Sequence, residues 1–211
     1  MKKNLNQKLI NLIEYYNLIN ANFLLSNTPL KRTSENTTFA FTGPRLKRLN
    51  QLKKKIHLIK NCELKKNATN LVFSDGNINS KIMIIGEGPG ANEDAEGKPF
   101  VGRAGKLLDK MLAAINLDRN SIYITNIVPW RPPNNRTPSS EEILQCLPFI
   151  QKHIELINPS VLILLGGTAT KAILTTTQGI TKLRGIWHEY NSLNIKKSIP
   201  TRAIYHPAYL L

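Results

Sequence analysis

Apolar residues recur along this chain with two different periods, one near 3.6 and one marking short continuous runs, and together they sketch an alternation of helices and strands. Over residues 4–25, Leu5, Leu9, Leu12, Ile13, Tyr16 and Ile19 fall at helical spacing, which predicts an amphipathic helix packed on the domain. Residues 26–45, with Pro29, Thr33, Ser34, Thr37, Thr38, Gly43 and Pro44, read as a linker without regular structure. A second helix is expected over residues 45–60, with Leu46, Leu49, Leu52, Ile56 and Ile59 on one face. Bounded apolar runs at 82–85, 121–128, 160–165 and 202–205 predict strands, the first of them covered on both faces. Between them lie helical patterns at 104–115, from Ser139 or Ser140 to 157 with Glu142 close enough to assist the cap, and from Gly166-Gly167-Thr168 to 174. Residues 180–190 read as a turn and an edge strand around Arg184-Gly185-Ile186-Trp187. The order βαβαβαβ predicts an α/β fold: a three-layer sandwich whose central four-stranded parallel sheet, with right-handed crossovers, is flanked by helices.

Composition divides this picture. At 211 residues and 41% hydrophobic, the chain buries one ordinary core, so the expectation is a basic helical extension over residues 1–60 and an α/β domain over 61–211. The formal charge of +15 predicts a polyanionic partner, and it is concentrated early, with fourteen basic residues against three acids in residues 1–66. Arg45, Lys47, Arg48, Lys53, Lys54 and Lys55 crowd the polar faces of the second helix, as a solvated face or as phosphate contacts. Two cysteines make no disulfide framework, and no apolar span or signal-type segment is visible, so a soluble, cytoplasmic, monomeric protein with no membrane partner is expected.

Candidate chemistry gathers in residues 81–102, KIMIIGEGPGANEDAEGKPFVG, where a buried strand breaks into a loop of three glycines, then an acidic pair and an aromatic residue. The glycines let backbone approach another molecule without a Cβ in the way, and in an open α/β sheet ligands sit at this end of a strand. The spacing is not that of a dinucleotide or phosphate loop, so no nucleotide cofactor is predicted. By topology alone Glu87, Asn126 and His206 all fall at strand carboxyl ends. No other histidine lies at metal-ligand spacing.

The run GEGPGANEDAEGKPFVGRAG resembles the first motif of the family 4 uracil-DNA glycosylases. Thr125 to Val128 with Arg131-Pro132-Pro133-Asn134-Asn135-Arg136 resembles that family's uracil-reading strand end and the loop after it, and His206 to Leu211 its last catalytic motif. The resemblance begins near Cys62 and covers about 70% of the chain.

What the resemblance implies is a DNA repair enzyme that flips uracil out of single- or double-stranded DNA and hydrolyses its N-glycosidic bond. Asn126 would donate to O4 and accept from N3–H, Phe100 would stack on the ring, and backbone at Gly88 and Gly90 would reach the base. His206 would donate to O2 as charge builds there, and Glu87, ahead of Glu93 or Asp94, would position the water; loop capping is the other reading of these acids. Arg131 and Arg136 are the expected DNA contacts. Many family members hold a four-iron four-sulfur cluster on four cysteines. Counting from Val72-Phe73, Cys62 and Cys146 match two of those ligands, whereas Ile59 and Trp130 stand at the others. The expectation is therefore no cofactor, with two buried thiols and apolar packing in the cluster's place. The halved ligand set, and an end at Leu211 where family members continue into a further helix, leave a second expectation open, a DNA-binding member impaired in catalysis.

Overall fold

The computed structural model describes residues 41–192 and 194–211, so the helix expected over 4–25 and nearly all of the linker lie outside the described residues. Six strands, β1 (Asp75–Gly76), β2 (Ile82–Gly86), β3 (Tyr123–Asn126), β4 (Val161–Leu165), β5 (Trp187–Tyr190) and β6 (Ile199–Ile204), form one sheet in the order β1-β3-β2-β4-β6-β5. The inner four pair in parallel, and β1 and β5 add antiparallel edges. The four-stranded parallel sheet read from the sequence is thus the centre of a six-stranded mixed one. β1 escaped notice because two residues, Asp75 and Gly76, carry no apolar pattern.

Around the sheet lie α1 (Arg45–His57), α2 (Glu63–Asn67), α3 (Ala91–Glu96), α4 (Arg103–Ala113), α5 (Ser140–Ile157), α6 (Gly166–Leu174) and α7 (Ile180–Leu183). Side chains of a strand alternate between faces. Accordingly Met83 and Ile85 of β2 join α1, α5 and α6 in one core, while Ile84 joins Leu108 and Leu112 of α4 in another. This is the expected three-layer arrangement. α1 buries Leu49, Leu52 and Ile56 in the first core and leaves Lys47, Lys53, Lys54 and Lys55 exposed.

Two residues depart from the helical faces predicted for them. Leu46, placed on the apolar face of α1, is 57% exposed, and burial on that face begins only at Leu49. Ile115 is 64% exposed: α4 ends at Ala113, Asn116 takes a φ of 58°, and the Leu117 amide folds back onto the Leu112 carbonyl at 2.9 Å, which swings Ile115 outward. The start of α5 follows the sequence closely. Ser139 accepts from the Glu142 amide at 3.3 Å while Glu142 accepts from the Ser139 amide at 2.7 Å, a reciprocal cap that satisfies two N–H groups otherwise left open.

His153 of α5 is buried at 3% exposure, stacks on Phe73 with ring centroids 4.5 Å apart, and places Nε2 2.6 Å from the Tyr123 hydroxyl, itself 2.8 Å from Ser74 Oγ. Burial depresses its pKa from 6.5 to about 3, so the fold holds the ring neutral. The stability it contributes is complete above the unfolded value of 6.5 and is lost as pH falls towards 3, at up to about 1.4 kcal/mol per pH unit. Urea midpoints measured between about pH 7 and pH 5 should therefore fall, and His153→Leu should flatten that slope while lowering the midpoint at neutral pH. Parallel slopes in the two proteins would contradict this account.

Candidate active site at the strand ends

Glu87 follows β2, Asn126 closes β3 and His206 lies just past β6, so three parallel strands deliver three polar side chains to one edge of the sheet. A cleft of about 280 Å³ opens there, lined by Glu87, Gly88, Gly90, Glu93, Phe100, Asn126, Arg136 and His206, together with Pro89, Ala104, Pro132, Asn135 and Ala208.

Asn126 is only 4% exposed, and among the described residues its Oδ1 is buried without a hydrogen-bond partner. A buried amide oxygen left unpaired costs about 1–3 kcal/mol, an expense that a ligand N–H would recover. Gly86 stands opposite Asn126 in the β2–β3 register. A Cβ there would lie 2.5 Å from Asn126 Oδ1 and 2.6 Å from Phe100 Cζ. The bare backbone of Gly86 is therefore what allows the amide and the ring to share this floor.

Phe100 occupies an unusual place. Its φ is +57°, a left-handed conformation that bulky side chains adopt rarely and at a cost of about 1–3 kcal/mol. Its ring lies against that of His206, with centroids 5.5 Å apart and planes inclined by 30°. On the other side, a Cβ at Gly105 would come within 1.8 Å of the Phe100 carbonyl oxygen, so α4 can pass this turn only with glycine.

The Nδ1 of His206 accepts from the Ala208 amide at 3.2 Å. In a neutral ring that leaves the proton on Nε2, as a donor. Burial lowers the His206 pKa, opposed by the nearby Glu93 carboxylate, and so favours this neutral form. Gly166, at a φ of +88°, makes room beside it, since a Cβ would sit 3.1 Å from His206 Cβ.

The three acids of the glycine-rich motif have separate fates. Glu93 lines the cleft, but its carboxylate accepts from the amides of Gly90 at 3.1 Å, Val101 at 2.9 Å and Gly102 at 2.8 Å, which ties both ends of the loop together. Asp94 points away and accepts from the amides of Thr69 and Asn70, at 2.9 and 3.0 Å. Glu87 is half-buried, and among the described residues its carboxylate has no hydrogen-bond partner.

The two arginines also differ. Arg136 lines the cleft while it grips Glu142 with both terminal nitrogens, at 2.6 and 2.7 Å, which holds that carboxyl below its usual range despite partial burial. Arg131 lies outside the cleft lining and donates from Nε to Asn135 Oδ1 at 2.7 Å. Asn134 and Asn135, at φ values of 55° and 53°, turn this loop back so that Asn135 reaches the cleft.

The family model of the uracil-DNA glycosylase superfamily matches residues 73–211. The chain belongs to this superfamily. It is 46% identical over 151 residues to the type-4 uracil-DNA glycosylase of Thermotoga maritima, covering 71% of this chain and 76% of that protein. The type-4 uracil-DNA glycosylase of Archaeoglobus fulgidus is 40% identical over 169 residues, 77% of this chain and 83% of that protein. The type-5 uracil-DNA glycosylase of Pyrobaculum aerophilum is more distant, at 27% over 150 residues. Within the superfamily the likeness is thus greater to the type-4 relatives.

The positions that resemble cluster ligands lie on the far side of Asn126. Cys62 and Cys146 are 3% and 1% exposed, beside an equally buried Trp130, and Ile59 packs against the same core. Burial, with Cys62 close by, pushes the Cys146 thiol upward, away from the thiolate form. The free space next to Cys146 is about 20 Å³, lined by Ile56, Ile59, Phe149 and Ile150 among others. That is room for one water molecule. Among the described residues, no three His, Cys, Asp or Glu side chains are grouped to hold a metal ion.

Sequence reasoning took Gly86 as one of three loop glycines open to another molecule and passed over Gly105, whereas the importance of both rests on what approaches them from elsewhere in the chain. Their effect is measurable without any substrate. Gly86→Ala drives a methyl into a buried amide and a ring and should cost about 1–3 kcal/mol, whereas Gly88→Ala meets a single Val128 methyl at 2.7 Å and should cost less. Urea unfolding of the two variants checks the order, and equal losses would contradict it.

Proposed function

We propose that this cleft releases uracil from DNA by hydrolysis of its N-glycosidic bond, leaving an abasic site. The observation that carries the reading is the unpartnered Oδ1 of Asn126, buried at the cleft floor within one pocket shared with a histidine whose donor proton is on Nε2. A uracil edge offers what these groups lack: N3–H for Oδ1, O4 for the amide N–H, and O2 for the imidazole donor. To reach them the nucleotide must leave the stack, and the aromatic wall of Phe100 supports the extruded ring.

The water oxygen forms a bond to C1′ as the C1′–N1 bond breaks, and that electron pair leaves with the base, its charge spreading onto O2. Glu87 takes the water proton, and the uracil anion is protonated afterwards from solvent. His206 donates to O2 most strongly once charge has developed, which is transition-state binding, and a single donor of this kind contributes about 3–4 kcal/mol. Glu93 serves the loop rather than the water in this scheme, because its carboxylate already receives three amides. Exposed lysines of α1 and the cleft-side Arg136 would supply sequence-independent attraction to phosphates.

The substitution Asn126→Asp keeps the shape but turns the amide donor into an acceptor that repels O4. Release of free uracil from a uracil-containing oligonucleotide should fall by about 100-fold or more. A full rate in this variant would remove Asn126 from the site. A parent protein that binds the oligonucleotide and releases nothing would instead mark a DNA-binding member without catalysis.

We also infer that the corner formed by Ile59, Cys62, Trp130 and Cys146 holds no iron-sulfur cluster. Two thiols, one of them pushed towards its protonated form, do not supply the four thiolates that such a cluster takes, and the space beside Cys146 is of water size. Protein purified without oxygen should contain no stoichiometric iron by elemental analysis, and an iron content of cluster stoichiometry would overturn the inference.

A further inference from the structure

The left-handed backbone of Phe100 requires a restraint, and the structure supplies it from a residue outside the cleft. Arg119 lies in the turn between α4 and β3, with its side chain 25% exposed. Its Nε donates to Asp109 Oδ1 at 2.9 Å, and Nη1 donates to Asp75 Oδ2 at 2.8 Å and to the Pro99 carbonyl at 3.1 Å. Nη2 donates to the Phe100 carbonyl and, at 3.3 Å, to Asp109 Oδ2. Every N–H of the guanidinium is thereby engaged, between two carboxylates that fix it and two consecutive carbonyls that it fixes. On the opposite side of the Phe100 carbonyl stands Gly105, where a Cβ would approach to 1.8 Å. The peptide after Phe100 is also held by Glu93, through the amides of Val101 and Gly102.

We propose that Arg119 is a positioning residue for uracil release: by clamping the carbonyls of Pro99 and Phe100 it keeps the Phe100 ring against His206, as the wall on which the extruded base stacks. This rests on the glycosylase reading of the cleft. A lysine cannot replace the clamp, because one ammonium on a flexible stem does not span two carboxylates and two carbonyls at once. Asp75 and Asp109 act through Arg119, as its anchors.

The test compares the parent protein, Arg119→Lys, Phe100→Ala and the double variant, reading single-turnover uracil release, inhibition by free uracil and affinity for undamaged DNA of the same length. Arg119→Lys should slow release by about 10-fold or more and weaken uracil inhibition by a similar factor, with affinity for undamaged DNA unchanged. In the Phe100→Ala background the same change should cost nothing further. Losses that add, or uracil inhibition left intact by Arg119→Lys, would overturn the proposal. If Arg119→Lys does not fold, Asp75→Ala removes one anchor and leaves the carbonyl contacts, and it should show the same non-additivity to a smaller degree. Amide hydrogen exchange at Val101 and Gly102 separates failure of the clamp from failure of the glycosylase reading. Should the parent release no uracil, faster exchange in Arg119→Lys would still sustain the clamp, and unchanged exchange would overturn it.

Discussion

Everything at the strand ends depends on one close approach, that of Asn126 and Phe100 over the bare Cα of Gly86. The β2–β3 register sets Gly86 and Asn126 side by side, and a parallel sheet fixes that register through a ladder of backbone bonds that no single side chain can shift. The site therefore inherits its geometry from the sheet. A methyl at this position would force either the amide or the ring out, and with them the floor or the wall of the cleft. The same register holds the Asn126 amide oxygen, buried without a partner among the described residues, at the cleft floor.

The acidic residues of the glycine-rich loop show how a functional motif divides its labour. Backbone that leaves a strand and returns across a ligand site carries many N–H groups with no ladder to satisfy them. Glu93 takes up three such amides, those of Gly90, Val101 and Gly102, while Asp94 takes up those of Thr69 and Asn70 in the segment before β1. Only Glu87 is left facing the cleft without a partner among the described residues. Carboxylates that look alike in sequence thus differ by whether the folded loop has already consumed their lone pairs.

The centre of the fold was legible because it is local. Apolar runs at β2 and β4, the helical stripe of α4, and the reciprocal cap between Ser139 and Glu142 each declare themselves within a few residues. The convergence of Glu87, Asn126 and His206 followed from chain order alone, since strand ends in a parallel sheet share one edge. What escaped was non-local. Arg119 meets its partners 44, 20, 19 and 10 residues away, and no spacing rule links it to Phe100. The left-handed Phe100 was equally hidden, because nothing in the type of an aromatic residue announces a φ that glycine usually takes. β1 and the polar β5 were weak or silent for a simpler reason: edge strands bury too little to impose a pattern.

The corner around Cys62 and Cys146, proposed above to hold no cluster, is closed by packing and by side-chain bonds. Here α1 contributes Leu49, Leu52 and Ile56 to the same core as Trp130, Cys146 and Ile150, which joins α1, the loop after β3 and α5 through dispersion and burial. Gln145 adds bonds to the carbonyls of Lys60 and Asn61, at 3.1 and 3.4 Å, and fastens the chain between α1 and α2 to α5. Trp130 is large enough to fill volume that a smaller residue would leave open, and the remaining gap beside Cys146 is of water size. Because Ile127 and Asn126 line that same gap, the packing of this corner reaches the back of the residue proposed to read the base. Asn126 is thus backed by hydrocarbon side chains of α1 and α5 across a gap of water size, in addition to the strand that carries it.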